Sequence, residues 1–129
     1  MTDERRYTWS SGDAYEPYVG RWSRLVAREF IGWLALPDDL RWLDVGCGTG
    51  ALTETIVARC SPNSVVGVDR SEEYLAYARA RVSDPRATFR IGDAQALPGK
   101  DGEHDVAVSG LVLNFVPDHA RMVAEMKRS

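Results

Sequence analysis

Several features are scarce in this sequence of 129 residues, and each scarcity excludes a class of protein. Two cysteines, Cys47 and Cys60, are too few for a disulfide framework. The 16 Lys and Arg residues are outnumbered by 19 Asp and Glu residues, which argues against a nucleic-acid-binding surface. The longest run without a charged residue, 106–117, is too short to cross a bilayer. No apolar segment follows the charged first residues, so we expect no signal peptide and a cytoplasmic protein without membrane or nucleic-acid partners.

Metal-binding residues are equally sparse. The only histidines are His104 and His119, and neither they nor the cysteines have the spacing of metal ligands. His104 stands at the start of an apolar strand, and we expect it at the surface. His119 lies near a helix start and is expected to be solvated. The sequence therefore predicts no metal site.

The most informative stretch is 43–50, with the sequence LDVGCGTG. An apolar run leads into three glycines, Gly46, Gly48 and Gly50, and residues 51–58 follow with helical character. Glycine permits positive φ and removes the Cβ atoms that would keep a ligand away from the backbone. The helix start supplies free N–H groups and the positive end of the dipole. The stretch therefore predicts a ligand-binding turn after a buried strand, with Asp44 just before the turn.

The rest of the chain predicts alternating strands and helices in one domain, 1–129, of which residues 1–20 form a flexible N-terminal segment. Strands are predicted at 41–45, 64–68, 87–91 and 105–109. Helices are predicted from residue 21 to the turn at 37–39, at 51–58, from the N-cap Ser71 to about residue 82, and after the N-cap Asp118. The first helix should bury a single face formed by Trp22, Leu25, Val26, Phe30, Trp33 and Leu34. This alternation predicts an α/β fold, a Rossmann-like parallel sheet with helices on both faces and ligands at the carboxyl ends of its strands.

Acidic residues end three of the predicted strands, because Asp69 and Asp93 occupy the positions equivalent to Asp44. Asp69 lies about 20 residues beyond the glycine turn, as expected for a carboxylate that binds a ribose diol. Gly46, Gly48 and Ala51 also satisfy the dinucleotide fingerprint G-x-G-x-x-G/A, so an NAD enzyme is an alternative. A pyrophosphate beside Asp44 would lack a compensating Arg nearby. A ligand with a sulfonium, an ammonium and a ribose suits the acidic edge better.

Four stretches together resemble the class I S-adenosylmethionine-dependent methyltransferases. They are 43–50, 66–71, 91–98 and 109–118, in the order and at the spacing of that family. The resemblance implies the spatial strand order 3-2-1-4 for the strands present. Family members usually continue to seven strands, so we expect a chain truncated before strands 5–7. The predicted strand 105–109 would then be an exposed edge through which a homodimer forms.

The resemblance also implies S-adenosylmethionine as the cofactor and a role for each motif. The turn would hold the methionine part with Asp44, Gly46, Cys47, Gly48 and Gly50. The adenosine part would be bound by Asp69 on the ribose hydroxyls, Arg70 along the adenine, Asp93 on the adenine amino group and the Ala94 N–H on a ring nitrogen. The remaining residues would flank the sulfonium, namely Gly110 and Leu111, or close the pocket from the N-terminal segment, namely Tyr18, Arg21 and Trp22.

The implied function is in-line methyl transfer to a small-molecule acceptor, with the protein supplying alignment and exclusion of water. No residue is identified as a general base, although Asn114 and His119 are candidates for the vicinity of the acceptor. Two alternatives stay open. One is a catalytically silent module that binds S-adenosylmethionine or assembles with a partner. The other is a fragment of an NAD-dependent oxidoreductase.

Overall fold

The structure, a computed structural model, describes residues 21–110 and 112–129. The predictions for the segment 1–20, including Tyr18, and for Leu111 lie outside the described residues, as does the side chain of Arg21. The elements, in chain order, are α1 (Arg21–Leu34), β1 (Arg41–Val45), α2 (Ala51–Arg59), β2 (Ser64–Asp69), α3 (Glu72–Arg81), β3 (Ala87–Ile91), β4 (Val106–Val108), a 3₁₀ helix (Leu113–Phe115) and α4 (His119–Arg128).

The four strands form one parallel sheet in the order β3-β2-β1-β4, which confirms the predicted fold class and strand order. Asp44 is paired with Gly67 of β2, which in turn is paired with Phe89 of β3. The carboxyl ends of β1, β2 and β3 therefore lie side by side. The prediction of 105–109 for the fourth strand was too long, because the Ser109 hydroxyl, rather than a ladder amide, bonds the Val45 carbonyl at 2.8 Å.

Helices cover both faces of the sheet, as predicted. The face that carries Trp42, Val65 and Phe89 packs against α1, α2 and α3. The opposite face, with Leu43 and Val45, packs against α4 and the loop after β3. Each strand contributes side chains to both faces because successive side chains of a strand point in opposite directions.

Both predicted N-caps are confirmed. The Ser71 hydroxyl accepts a hydrogen bond from the Tyr74 amide at 3.2 Å at the start of α3. The Asp118 carboxylate accepts one from the Arg121 amide at 3.0 Å at the start of α4. Each cap satisfies an N–H group that the helix itself leaves without a partner.

The predicted buried face of α1 was wrong. Its buried residues are Ala27 and Ile31, while Trp22 is 63% exposed and Trp33 is 78% exposed. Apolar residues occupy more than half of the helix circumference, so helical periodicity alone could not select the side that meets α2. The small side chain of Ala27 allows the close approach, and two predicted members, Phe30 and Leu34, pack partly against the core. The exposed members are Trp22, Leu25, Val26 and Trp33.

Candidate cofactor-binding site

The glycine turn is fixed to the carboxyl end of the neighbouring strand. The amides of Gly46 and Cys47 donate to the Val68 carbonyl at 2.7 and 3.0 Å. Gly46 and Gly48 have φ values of +73° and +55°, which side chains rarely adopt. A Cβ on Gly46 would lie 2.6 Å from the side chain of Val112, whereas one on Gly48 would meet no atom within 4 Å. Gly46 is therefore covered by the segment after β4, and Gly48 faces open space.

The other two residues predicted from this turn are directed mainly into the fold. Gly50 is the N-cap of α2, and a Cβ there would lie 3.3 Å from Ala78 of α3, so glycine at this position allows α2 to pack closely against α3. Cys47 is 6% exposed and belongs to an apolar cluster with Phe89 and Leu75. Burial raises the pKa of the Cys47 thiol well above its ordinary value. The thiol is therefore protonated at neutral pH and is not a nucleophile.

Asp44 is the most unusual group of the site because it is a carboxyl group that is only 1% exposed. One of its oxygens accepts a hydrogen bond from the Thr53 hydroxyl at 2.7 Å. Burial raises the pKa of Asp44 to about 7, an increase that the Thr53 hydrogen bond limits and the nearby charge of Asp69 adds to. Thr53 was not predicted from the sequence. The signal that could have identified it is a hydroxyl residue in the first turn of the helix that follows β1 and the glycine turn.

A cavity of about 220 Å³ lies between α1, the glycine turn and the end of β4. Of the predicted site residues, Asp44, Gly46, Cys47 and Gly110 line it, whereas Trp22 does not. None of the described residues that line the cavity is Lys or Arg. The full lining is Ser23, Val26, Ala27, Phe30, Asp44, Gly46, Cys47, Thr49, Ala51, Leu52, Ser109 and Gly110.

Asp69 lies on the other side of the glycine turn from this cavity. Its two carboxylate oxygens accept hydrogen bonds from the amides of Gly48 and Ser71, each at 2.9 Å. A carboxylate oxygen has two lone pairs, so each oxygen retains the capacity to accept one further hydrogen bond. Asp69 is half-buried and the following residue, Arg70, is exposed. The geometry thus provides a firmly oriented pair of acceptors that could hold the two hydroxyls of a diol.

Asp93 follows β3 next to Asp69. The Gly92 amide donates to the Asp69 carbonyl at 3.0 Å, which joins the two strand ends. The Asp93 carboxylate is exposed and accepts a hydrogen bond from the Gln95 amide at 2.8 Å, while Ala94 is half-buried. The structure therefore brings Asp69, Arg70, Asp93 and Ala94 to one edge, although none of them lines the cavity.

The remaining candidates lie apart from these two groups. Asn114 and His119 are exposed on the segment after β4. His104 is half-buried rather than on the open surface. Its amide donates a hydrogen bond to the Ser129 carbonyl at 2.8 Å. Among the described residues, no three His, Cys, Asp or Glu side chains are grouped so as to hold a metal ion. In that part of the chain, no helix is both long and apolar enough to cross a membrane.

The two parts of the site fit S-adenosylmethionine better than a dinucleotide. The cavity presents a buried carboxyl group, and none of its described lining residues is Lys or Arg, which favours a cationic ligand group and disfavours a pyrophosphate. The edge beyond the turn presents the diol acceptors of Asp69. The residues that could hold the cofactor are therefore Asp44 and Gly46 on one side of the turn and Asp69 and Asp93 on the other.

Comparison with known proteins gives the same answer. The sequence pattern of the family described as "Methyltransferase domain" matches residues 43–129, which are more than half of the chain. Trans-aconitate 2-methyltransferase of Variovorax paradoxus is 35% identical over 100 residues, which are 78% of this chain and 38% of that enzyme. Demethylmenaquinone methyltransferase of Symbiobacterium thermophilum is 33% identical over 115 residues, covering 85% of this chain and 45% of that enzyme. The chain thus spans less than half the length of these curated relatives.

Solved structures share the fold. A chain of the complex between the Haloferax volcanii Trm112 methyltransferase activator and a methyltransferase superposes with a TM-score of 0.82, covering 94% of this chain and 56% of that chain. At 20% identity this likeness shows the fold alone. The 4+2 cyclase SpnF superposes with a TM-score of 0.73 at 27% identity, covering 81% of this chain and 40% of that chain.

Proposed function

We propose that this chain, which belongs to the class I S-adenosylmethionine-dependent methyltransferase family, binds S-adenosylmethionine and takes part in methyl transfer to a small-molecule acceptor. The observation that carries the proposal is the pair of acidic groups on either side of the glycine turn. Asp44 is buried at the cavity, where none of the described lining residues is Lys or Arg, and Asp69 is held with both oxygens oriented. A ligand that is cationic at one end and carries a ribose at the other satisfies both groups.

The cofactor, when bound, supplies a methyl group already activated by the positive sulfur, so the protein needs to align and shield rather than to activate. Asp44 would lie beside a cationic group of the ligand, and its proton would leave as that charge arrives. The backbone of Gly46 and Gly48 would allow the ligand close to the turn. Water would be excluded by the apolar wall of α1, to which Phe30 contributes.

The adenosine end would be held beyond the turn. Asp69 would accept hydrogen bonds from the two ribose hydroxyls, and Arg70 would pack along the adenine. Asp93 would accept the adenine amino group, next to the Ala94 amide. The sulfonium would be flanked by Gly110 and Leu111, and the pocket would be closed by Tyr18, Arg21 and Trp22. We assign no general base.

The acceptor is proposed to be a small organic molecule rather than a nucleic acid. The relatives' names point to chemically different acceptors, trans-aconitate in one enzyme and demethylmenaquinone in another. The net charge of −3 supports the exclusion of nucleic acid. Mass spectrometry after incubation with S-adenosylmethionine and each acceptor tests this proposal. A mass increase of about 14 Da on one acceptor is expected, whereas a gain on RNA or DNA alone would refute it.

A second candidate function is binding of S-adenosylmethionine without methyl transfer. It is favoured by the likeness to the 4+2 cyclase SpnF, because one fold can host different chemistry. Calorimetry separates the two candidates when combined with the acceptor screen. Cofactor binding with no methylated product from any acceptor would favour the silent module, and binding of NAD alone would favour neither.

Assembly and location are parts of the same proposal. Within the described residues β4 is paired only with β1, so its other side supports a homodimer formed through the edge 105–109. The two cysteines are free and buried, which is consistent with the cytoplasm as the compartment.

A further inference from the structure

Helix α4 holds the loop that follows β3 along one of its faces. Arg121 Nε donates to the Gln95 carbonyl at 2.8 Å. Glu125 accepts the Leu97 amide at 2.8 Å, and Arg128 donates to the Leu97 carbonyl at 2.9 Å. The three helix residues are spaced by three or four positions, so they share one face of α4. Backbone groups of a loop that has no strand partner are thus satisfied by side chains of a helix.

Near Asp93, three residues are joined by a closed ring of hydrogen bonds. The Asp118 amide donates to Gln95 Oε1 at 2.8 Å, the Asp118 carboxylate caps the Arg121 amide at 3.0 Å, and Arg121 returns to the Gln95 carbonyl. Gln95 is therefore held through both its side chain and its backbone. Its own amide donates to Asp93 Oδ1 at 2.8 Å. The orientation of the Asp93 carboxylate consequently depends on where the ring holds Gln95.

We infer that Gln95 and Arg121 are positioning residues for recognition of the adenine ring, an inference that rests on the proposed function. Neither residue is proposed to touch the ligand. They fix the turn 93–96, whose Ala96 amide bonds the Asp93 carbonyl at 3.0 Å, so that the carboxylate meets the adenine amino group. Without the ring, the exposed turn would have to be ordered on binding, and the selectivity for the amino group would fall.

The test is calorimetric titration of Arg121→Ala with S-adenosylhomocysteine and with its purine analogue, in which hydrogen replaces the 6-amino group. Loss of the Arg121 hydrogen bond that holds Gln95, and through it Asp93, should weaken binding of S-adenosylhomocysteine roughly 3- to 10-fold. Binding of the analogue should stay unchanged, because it offers Asp93 no donor. Lys127→Ala is the matched control, since this substitution removes the same charge from α4 at an exposed residue.

A second pair of variants separates positioning from general damage. Gln95→Ala should reproduce the effect of Arg121→Ala, and Gln95→Glu, which keeps an acceptor for the Asp118 amide, should restore most of the affinity. Equal weakening of both ligands, or unchanged affinity for both in Arg121→Ala, would overturn the positioning role while leaving the proposed function intact. Failure of the unmodified chain to bind either ligand would overturn the proposed function and this inference with it.

Discussion

The buried carboxyl group of Asp44 should make the stability of the ligand-free protein fall as pH rises. Burial raises its pKa from 3.8 to about 7, so the native state holds a proton that the unfolded chain releases. The stability contribution is fully present below pH 3.8 and is lost as pH rises through about 7. At ~1.36 kcal/mol for each pH unit, the complete loss is about 4 kcal/mol, of which about 3 kcal/mol falls between pH 5 and pH 8.

Asp44→Asn removes this titration while keeping an oxygen for the Thr53 hydroxyl. Urea unfolding of both proteins between pH 5 and pH 8 should show the variant gaining about 3 kcal/mol relative to the unmodified protein. Asp84 and Asp105 do not interfere, because ion pairs with arginines lower the pKa of each to about 2. Burial lowers the pKa of His104, which makes stability rise with pH, but this contribution is common to both proteins and cancels in their difference.

Parallel stability profiles of the two proteins across this pH range would refute the reasoning. They would mean that Asp44 is already ionised in the folded state and that water or a cation compensates it. Saturation with S-adenosylmethionine provides a second check, because a ligand cation beside Asp44 should reduce the difference between the profiles. A difference that the ligand leaves unchanged would remove Asp44 from the binding site.

Three further outcomes are expected. Asp69→Ala should weaken S-adenosylmethionine binding by roughly 1.5–3 kcal/mol for each ribose hydrogen bond lost, whereas the exposed Asp38→Ala should have no effect in the same titration. Gly46→Ala should destabilise the fold by about 1–3 kcal/mol more than Gly102→Ala in thermal unfolding. Both glycines have positive φ, but only at Gly46 would the new Cβ collide with a neighbour, so equal losses would contradict the collision. Light scattering at high concentration should return the mass of a dimer, and a monomer mass would refute assembly through the edge 105–109.

The strands were predictable because each is encoded by its local sequence, whereas their order followed from the resemblance to the methyltransferase family. An apolar run between turn residues identifies a strand, and alternation with helices imposes parallel pairing. The acids at the strand ends followed from the same logic, since Asp69 and Asp93 occupy positions that a parallel sheet brings together. Both N-caps were likewise local, because each cap side chain bonds an amide three residues away.

The features that were missed depend on partners distant in the sequence. The predicted buried face of α1 was wrong because packing against α2 decides which part of its broad apolar surface is buried. Val112 covers Gly46 from a segment more than sixty residues away, and nothing near either residue indicates that contact. The ring through Gln95 joins a loop to a helix more than twenty residues later. Tertiary packing, rather than local propensity, decides all three.

The central claim is that the glycine turn and its two acids bind S-adenosylmethionine, and thermal unfolding with separate ligands tests it most directly. At a concentration of about 100 times Kd, a ligand adds roughly 2.7 kcal/mol to the native state. With ~2.1 cal/mol/K of unfolding entropy per residue, the midpoint should rise on the order of 10 °C. We expect this rise with S-adenosylmethionine and S-adenosylhomocysteine and no rise with NAD. A rise with NAD alone, or no response to any of the three, would contradict the account.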